Sequence, residues 1–129
     1  MRVWMPLVYV GMGGALGSVL RYLLSLLAQR YFVTFPCGTL AANLLGCLLI
    51  GIVVTLATSS AALSPSWRLF LATGICGGFT TMSSFVYEMM KFVQDRELFY
   101  AGGYLALTLL GSMGMFCLGV WLVQWVMPS

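Results

Sequence analysis

Residues 74–85 read GICGGFTTMSSF and interrupt the third of four long apolar stretches. A helix built only to span a bilayer is not written this way. Gly74, Gly77 and Gly78 loosen the backbone, and Thr80, Thr81, Ser83 and Ser84 follow with hydroxyls that can satisfy freed N–H and C=O groups. In hydrocarbon each such group left unpaired costs several kcal/mol (~2–7). The run predicts a helix broken near the bilayer midplane, where irregular backbone survives only if protein buries it or if it lines a site.

The setting is a membrane chain. Its 129 residues are 61% hydrophobic and 7% charged, with a mean hydropathy of +1.01, so polar surface is too scarce to cover a soluble globule. No Pro/Ser-rich linker or charge run divides it, which predicts one domain over residues 1–129. The net charge of +3 is scattered over loops and gives no electrostatic footprint for nucleic acid. Cys37, Cys47, Cys76 and Cys117 lie in or beside apolar stretches, without C-x-x-C spacing or histidine, and read as small buried hydrophobes. Arg2 followed by a long apolar run resembles the start of a signal peptide. The run is too long for an h-region and reads as a retained first span.

Crossing a core of ~30 Å takes roughly 20 helical residues. Four stretches suffice: 5–28, 39–58, 68–92 and 98–127, joined by short turns at 31–36, 59–66 and 94–97. Trp4, Tyr31, Trp67, Tyr100 and Trp125 fall near the span ends, as interfacial anchors do. The expectation is an all-α bundle of four transmembrane helices with both termini on one side. Lysine and arginine hardly bias its orientation: Arg2 and Arg68 lie on the terminal side, Arg30, Lys91 and Arg96 on the other. A weakly biased chain can insert both ways up, and opposite copies can then pair about an axis in the membrane plane. Gly13 and Gly17, Ala42 and Gly46, and Gly111, Gly114 and Gly119 suit close helix packing.

Several polar side chains fall inside these apolar spans. Arg21, costing at least ~2.5–3.5 kcal/mol on insertion scales, either snorkels to the interface beside Tyr22 or makes a wet vestibule positive for an anion. Asn43, one turn after Thr39 on the same face, either bonds to another helix or donates to a dehydrated anion. Tyr104, Thr108 and Ser112 form one column in the fourth span; such hydroxyls also bond back to their own helix. Donors are many and buried acids few, Glu88 being the one acid close to a span, so the pattern favours an anion over a cation. Phe79 and Phe85 flank the hydroxyl run with Met82 one turn before Phe85. They read as packing, or as a positively polarised ring edge turned toward an anion. With no histidine and no paired carboxylates in a span, an enzyme is not expected.

Three segments, GGALGSVLRY at 13–22, GTLAANLLG at 38–46 and TGICGGFTTMSSF at 73–85, in this order and within four spans, make the chain resemble the Fluc (CrcB) family of small fluoride channels over nearly its full length. The resemblance implies an antiparallel, dual-topology homodimer in a bacterial inner membrane, with two pores that export fluoride and reject chloride. It also implies a sodium ion at the subunit interface, held by backbone carbonyls of Gly77 and Thr80. Asn43 would be the pore amide and Phe85 a ring edge facing fluoride. Tyr104, Thr108 and Ser112 would form a polar track, with Ser83 and Ser84 near the ion path, Thr39 beside it, Arg21 at a vestibule and Glu88 toward one pore end. Met82 departs from the pattern, which usually has phenylalanine there; a thioether fills the space but offers no equivalent ring edge. Two rivals are a small multidrug-type dual-topology exporter, which needs an acid in the first span where this chain has Arg21, and a non-transporting membrane assembly subunit.

Overall fold

A computed structural model describes residues 2–59 and 63–128. Part of the turn read over 59–66 therefore lies outside the described residues. Within them there is no strand, and four helical spans are long and apolar enough to cross a membrane. The first is α1 (Trp4–Gln29) and the second α2 (Cys37–Ser59). The third is composite: α3 (Pro65–Arg68), a π-helical run (Leu69–Cys76), α4 (Gly77–Phe79) and α5 (Met82–Gln94). The fourth is α6 (Leu98–Val126). Each end falls within about three residues of the hydropathic expectation, because chain length and side-chain transfer energies fix a span more tightly than any local motif.

Helix starts use local chemistry. Ser64 caps α3, its hydroxyl accepting from Trp67 N, and Pro65 sits where no intrahelical donor is needed. Thr81 caps α5 by accepting from Ser84 N at 3.1 Å. Between α4 and α5, Thr80 (φ −86°, ψ 155°) and Thr81 (φ −150°, ψ 117°) are extended, and the third span bends at this pair. The π-helical run before it was not foreseen; wide π turns recur beside functional sites.

The spans pack as an open array instead of a closed bundle. α2 lies centrally, in its most extensive contact with α6, while α1 packs chiefly on the π-helical run and α4; α1 and α6 do not meet. Glycine makes the first interface. A Cβ on Gly13 or Gly17 would collide with the Phe70 or Ile75 carbonyl, and one on Gly78 with the Gly14 carbonyl. α2 and α6 approach in the same way, Gly51 against the Phe116 carbonyl and Gly119 against that of Leu48. Gly114 touches no neighbour, so close packing is not its role within one chain.

The chain exposes 8536 Å², where a water-soluble protein of this mass shows about 6,700 Å². Large apolar side chains make up much of the exposed set, among them Leu7, Phe99, Leu110 and Trp125. Such a surface suits lipid and further protein.

Candidate functional site

The backbone at Thr80 and Thr81 needs partners from elsewhere, and α2 supplies them. Asn43 Oδ1 accepts from Thr81 N at 2.8 Å while Asn43 Nδ2 donates to Thr81 O at 3.2 Å. One side-chain amide thus engages both backbone groups of one residue. Thr80 turns back, N and Oγ1 both donating to the Cys76 carbonyl at 3.0 and 2.9 Å. Thr81 Oγ1 also lies 3.2 Å from Ser83 Oγ. In an uninterrupted helix Thr81 N–H would serve the Gly77 carbonyl. Its commitment to Asn43 releases that carbonyl from the helical pattern.

Arg21 makes a contact that neither expectation named. Its Nε–H donates to the Gly78 carbonyl at 3.1 Å, part-buried, 57 residues along the chain. The guanidinium is held at the bend by the glycine contact one turn earlier in α1.

A groove of about 340 Å³ opens beside the bend, lined by Asn43, Cys47, Thr80, Thr81, Met82, Phe85, Thr108, Leu109, Ser112 and Met113. It gathers six of the candidates read from sequence: Asn43, Thr80, Met82, Phe85, Thr108 and Ser112. Met82 is 70% exposed there, whereas Phe85 is 6% exposed, its ring meeting Tyr104 edge-on at 4.9 Å. Thr108 Oγ1 is buried without a hydrogen-bond partner among the described residues. That sets it apart from Ser18, Thr55, Thr58, Ser59 and Thr80, whose hydroxyls all donate to the carbonyl four residues earlier. The back-bonding reading of the α6 column therefore fails at Thr108.

Thr39, Glu88 and Tyr104 lie apart from this groove. They cluster close enough to interact, yet Glu88 Oε1 and the Tyr104 hydroxyl are buried without a partner of good hydrogen-bond geometry among the described residues. Tyr104 is wholly buried, ringed by Phe35, Phe85 and Phe92. Thr39 and Glu88 line a narrow cavity of about 70 Å³ with Ser25 and Phe35. Glu88 also faces a wider recess of about 400 Å³ with Lys91 and Asp95. Ser83 is exposed and Ser84 half-buried; neither lines the groove. Gly77 is exposed on the surface of the single chain. Sequence reasoning missed Cys47, one turn after Asn43, and the Thr81 backbone as partner of Asn43. The first had a signal in the i+4 spacing, the second had none.

Among the described residues no three His, Cys, Asp or Glu side chains group to hold a metal. The groups a cation could meet at the bend are carbonyl oxygens, and these suit a hard ion.

Residues 8–120 match the family described as CrcB-like protein, Camphor Resistance (CrcB). The chain belongs to the CrcB family. CrcB relatives resemble it over nearly their whole length. A protein of Chlorobium phaeobacteroides (strain BS1), called fluoride-specific ion channel FluC, is 48% identical over 112 residues, 87% of this chain and 86% of the relative. The protein of that name from Chlorobium chlorochromatii (strain CaD3) is 46% identical over 117 residues, covering 91% of each chain. The one from Pseudomonas aeruginosa (strain UCBPP-PA14) is 35% identical over 125 residues, 97% of this chain and 98% of the relative. The bend, the groove and the glycine contacts all lie inside the matched CrcB region.

Proposed function

We propose that this chain is a fluoride-selective channel that lets fluoride leave a bacterial cytoplasm down its electrochemical gradient. The observation that carries the reading is the groove: a buried Thr108 hydroxyl, unpartnered among the described residues, beside the Asn43 amide, Ser112 and the Phe85 ring, in a chain whose relatives bear the name of fluoride channels. Fluoride is small and strongly hydrated, so a pathway must offer donors in place of its water shell. Hydroxyl, amide and ring-edge groups do so without a full positive charge, and the ion can leave again. Asn43 keeps its second Nδ2–H for this, the first being spent on Thr81.

The pathway is completed by a second copy in the opposite orientation. Asn43, Thr108 and Ser112 line an open groove on an apolar surface, and hydrocarbon is a poor neighbour for them. A second copy would cover the groove, and the weak lysine and arginine bias allows both orientations. Two copies make two pores. Fluoride would pass between the groove and the recess at Glu88 and Lys91 along Tyr104, Thr39 and Phe85, with Ser83 and Ser84 at the copy-to-copy margin.

The bend at Thr80 and Thr81 would lie near the bilayer midplane, and a structural sodium ion would sit there between copies. Gly77 and Thr80 carbonyls would hold it, and when bound it would supply fixed positive charge that offsets the exposed carbonyl dipoles. The chain's own residues make the seat: Asn43 releases the Gly77 carbonyl, and Gly14 and Gly17 let α1 press against the bend.

A bacterial strain lacking fluoride export tests the reading. Expression of the chain should restore growth in millimolar fluoride, and the Asn43→Asp variant, present in the membrane at equal level, should not. Growth no better than with an empty vector would refute the channel reading.

A further inference from the structure

We infer that Arg21 is a positioning residue for the cation seat at the bend, acting through the Gly78 carbonyl. The inference rests on the sodium-bearing dimer proposed above. Interrupting the third span frees consecutive carbonyls from their i+4 donors, and a monovalent cation would compete for all of them. Two side chains divide these groups. Asn43 takes the Thr81 carbonyl and N–H, and Arg21 takes the Gly78 carbonyl at 3.1 Å. The Gly77 carbonyl, on an exposed residue of α4, is among those left, together with that of Thr80. Arg21 thereby orients α4 so that its neighbouring carbonyl points to the cation instead of its own.

The chain is built to deliver this bond. Gly14 meets Gly78 backbone to backbone, and Gly17 seats against the Ile75 carbonyl and the Phe79 N. Arg21 is one turn further along the same face of α1. The atom used is Nε, attached directly to Cδ, and not the outer guanidinium nitrogens. Glutamine carries its amide nitrogen at the same place in the side chain, so Arg21→Gln keeps this donor and removes the charge. Arg21→Met keeps the length and removes both.

The experiment measures thermal protection of the purified protein by Na⁺ against N-methyl-D-glucamine, together with fluoride efflux. Native protein and Arg21→Gln should share one Na⁺ midpoint to within about threefold, and Arg21→Met should need at least about tenfold more Na⁺. A merely structural role would lower melting temperature equally with and without Na⁺, leaving the midpoint in place. A role as vestibule charge would slow efflux in both variants alike with the Na⁺ midpoint unmoved; either result overturns the inference. If Arg21→Met does not fold, loss of the native midpoint in Arg21→Gln overturns it and retention supports it. Absence of any Na⁺ protection in the native protein removes the sodium reading, and this inference with it. Native protection with an unchanged Arg21→Met midpoint removes this inference alone.

Discussion

Asn43 grips Thr81 by both backbone groups, accepting from its N–H at 2.8 Å and donating to its carbonyl at 3.2 Å. The residues are 38 positions apart, and the pair ties α2 to the bend of the third span. One consequence is that Asn43 has two duties, holding the bend and lining the groove.

Those duties separate by substitution. Asn43→Ala strands two backbone groups of Thr81, each costing ~1–3 kcal/mol when buried. Folding stability, followed by thermal unfolding in detergent, should drop by about 2–4 kcal/mol. Asn43→Asp keeps the acceptor for Thr81 N–H but loses the donor and brings a negative charge to the groove. It should fold with a smaller loss and carry no measurable fluoride. Equal stability of Asn43→Ala and native protein would contradict the grip on Thr81.

Thr108 gives the opposite pairing of effects. Its buried hydroxyl has no partner within the described residues, so Thr108→Val should leave stability unchanged or raise it by about 1 kcal/mol. Fluoride efflux should fall about tenfold to a hundredfold, the rate equivalent of losing one hydrogen bond to an ion, ~1.5–3 kcal/mol. Thr55→Val is the control, because Thr55 bonds back to Gly51 at 2.7 Å and does not line the groove. Parallel losses of efflux in both variants would show that neither hydroxyl meets the ion.

The glycine seam predicts a steric effect. A Cβ at Gly17 falls within contact of the Ile75 carbonyl and 2.9 Å from Phe79 N, both backbone, which cannot rotate away. Gly17→Ala should destabilise by at least ~1–3 kcal/mol and reduce folded yield. Gly103→Ala, with nothing within 4 Å, should be tolerated. Size-exclusion profiles and melting curves of the two variants make the comparison.

Met82 is exposed in the groove beside the buried Phe85, and its thioether offers no aromatic ring edge to an anion. The native chain should conduct fluoride, and Met82→Phe should change the rate of efflux while chloride stays excluded. A silent native chain that gains flux on Met82→Phe would show that the thioether blocks the path.

Much of this was legible in the sequence, for reasons that differ by residue. Span limits follow from hydropathy over some twenty residues, so α1 and α6 came within a few positions. The Gly/Thr/Ser run at 74–85 marked the disturbed stretch of the third span because local composition records backbone freedom. The α6 column placed Thr108 and Ser112 together because helical spacing does so regardless of tertiary context. What escaped depends on contacts between distant segments. Neither the Nε bond from Arg21 to Gly78 nor the Asn43 grip on Thr81 has a local pattern. The π-helical run has none either. The open array, with α1 and α6 apart, reflects backbone approach at Gly13, Gly17, Gly51 and Gly119, and spacing alone did not say which helices those glycines face.

The proposed pathway requires uncharged donors in the groove to replace the water of fluoride and not of larger halides. Proteoliposomes loaded with both potassium fluoride and potassium chloride, opened with a potassium ionophore and read with two ion-selective electrodes, test it most directly. Fluoride should leave rapidly while chloride stays inside; equal release of both ions, or of neither, would overturn the proposed pathway.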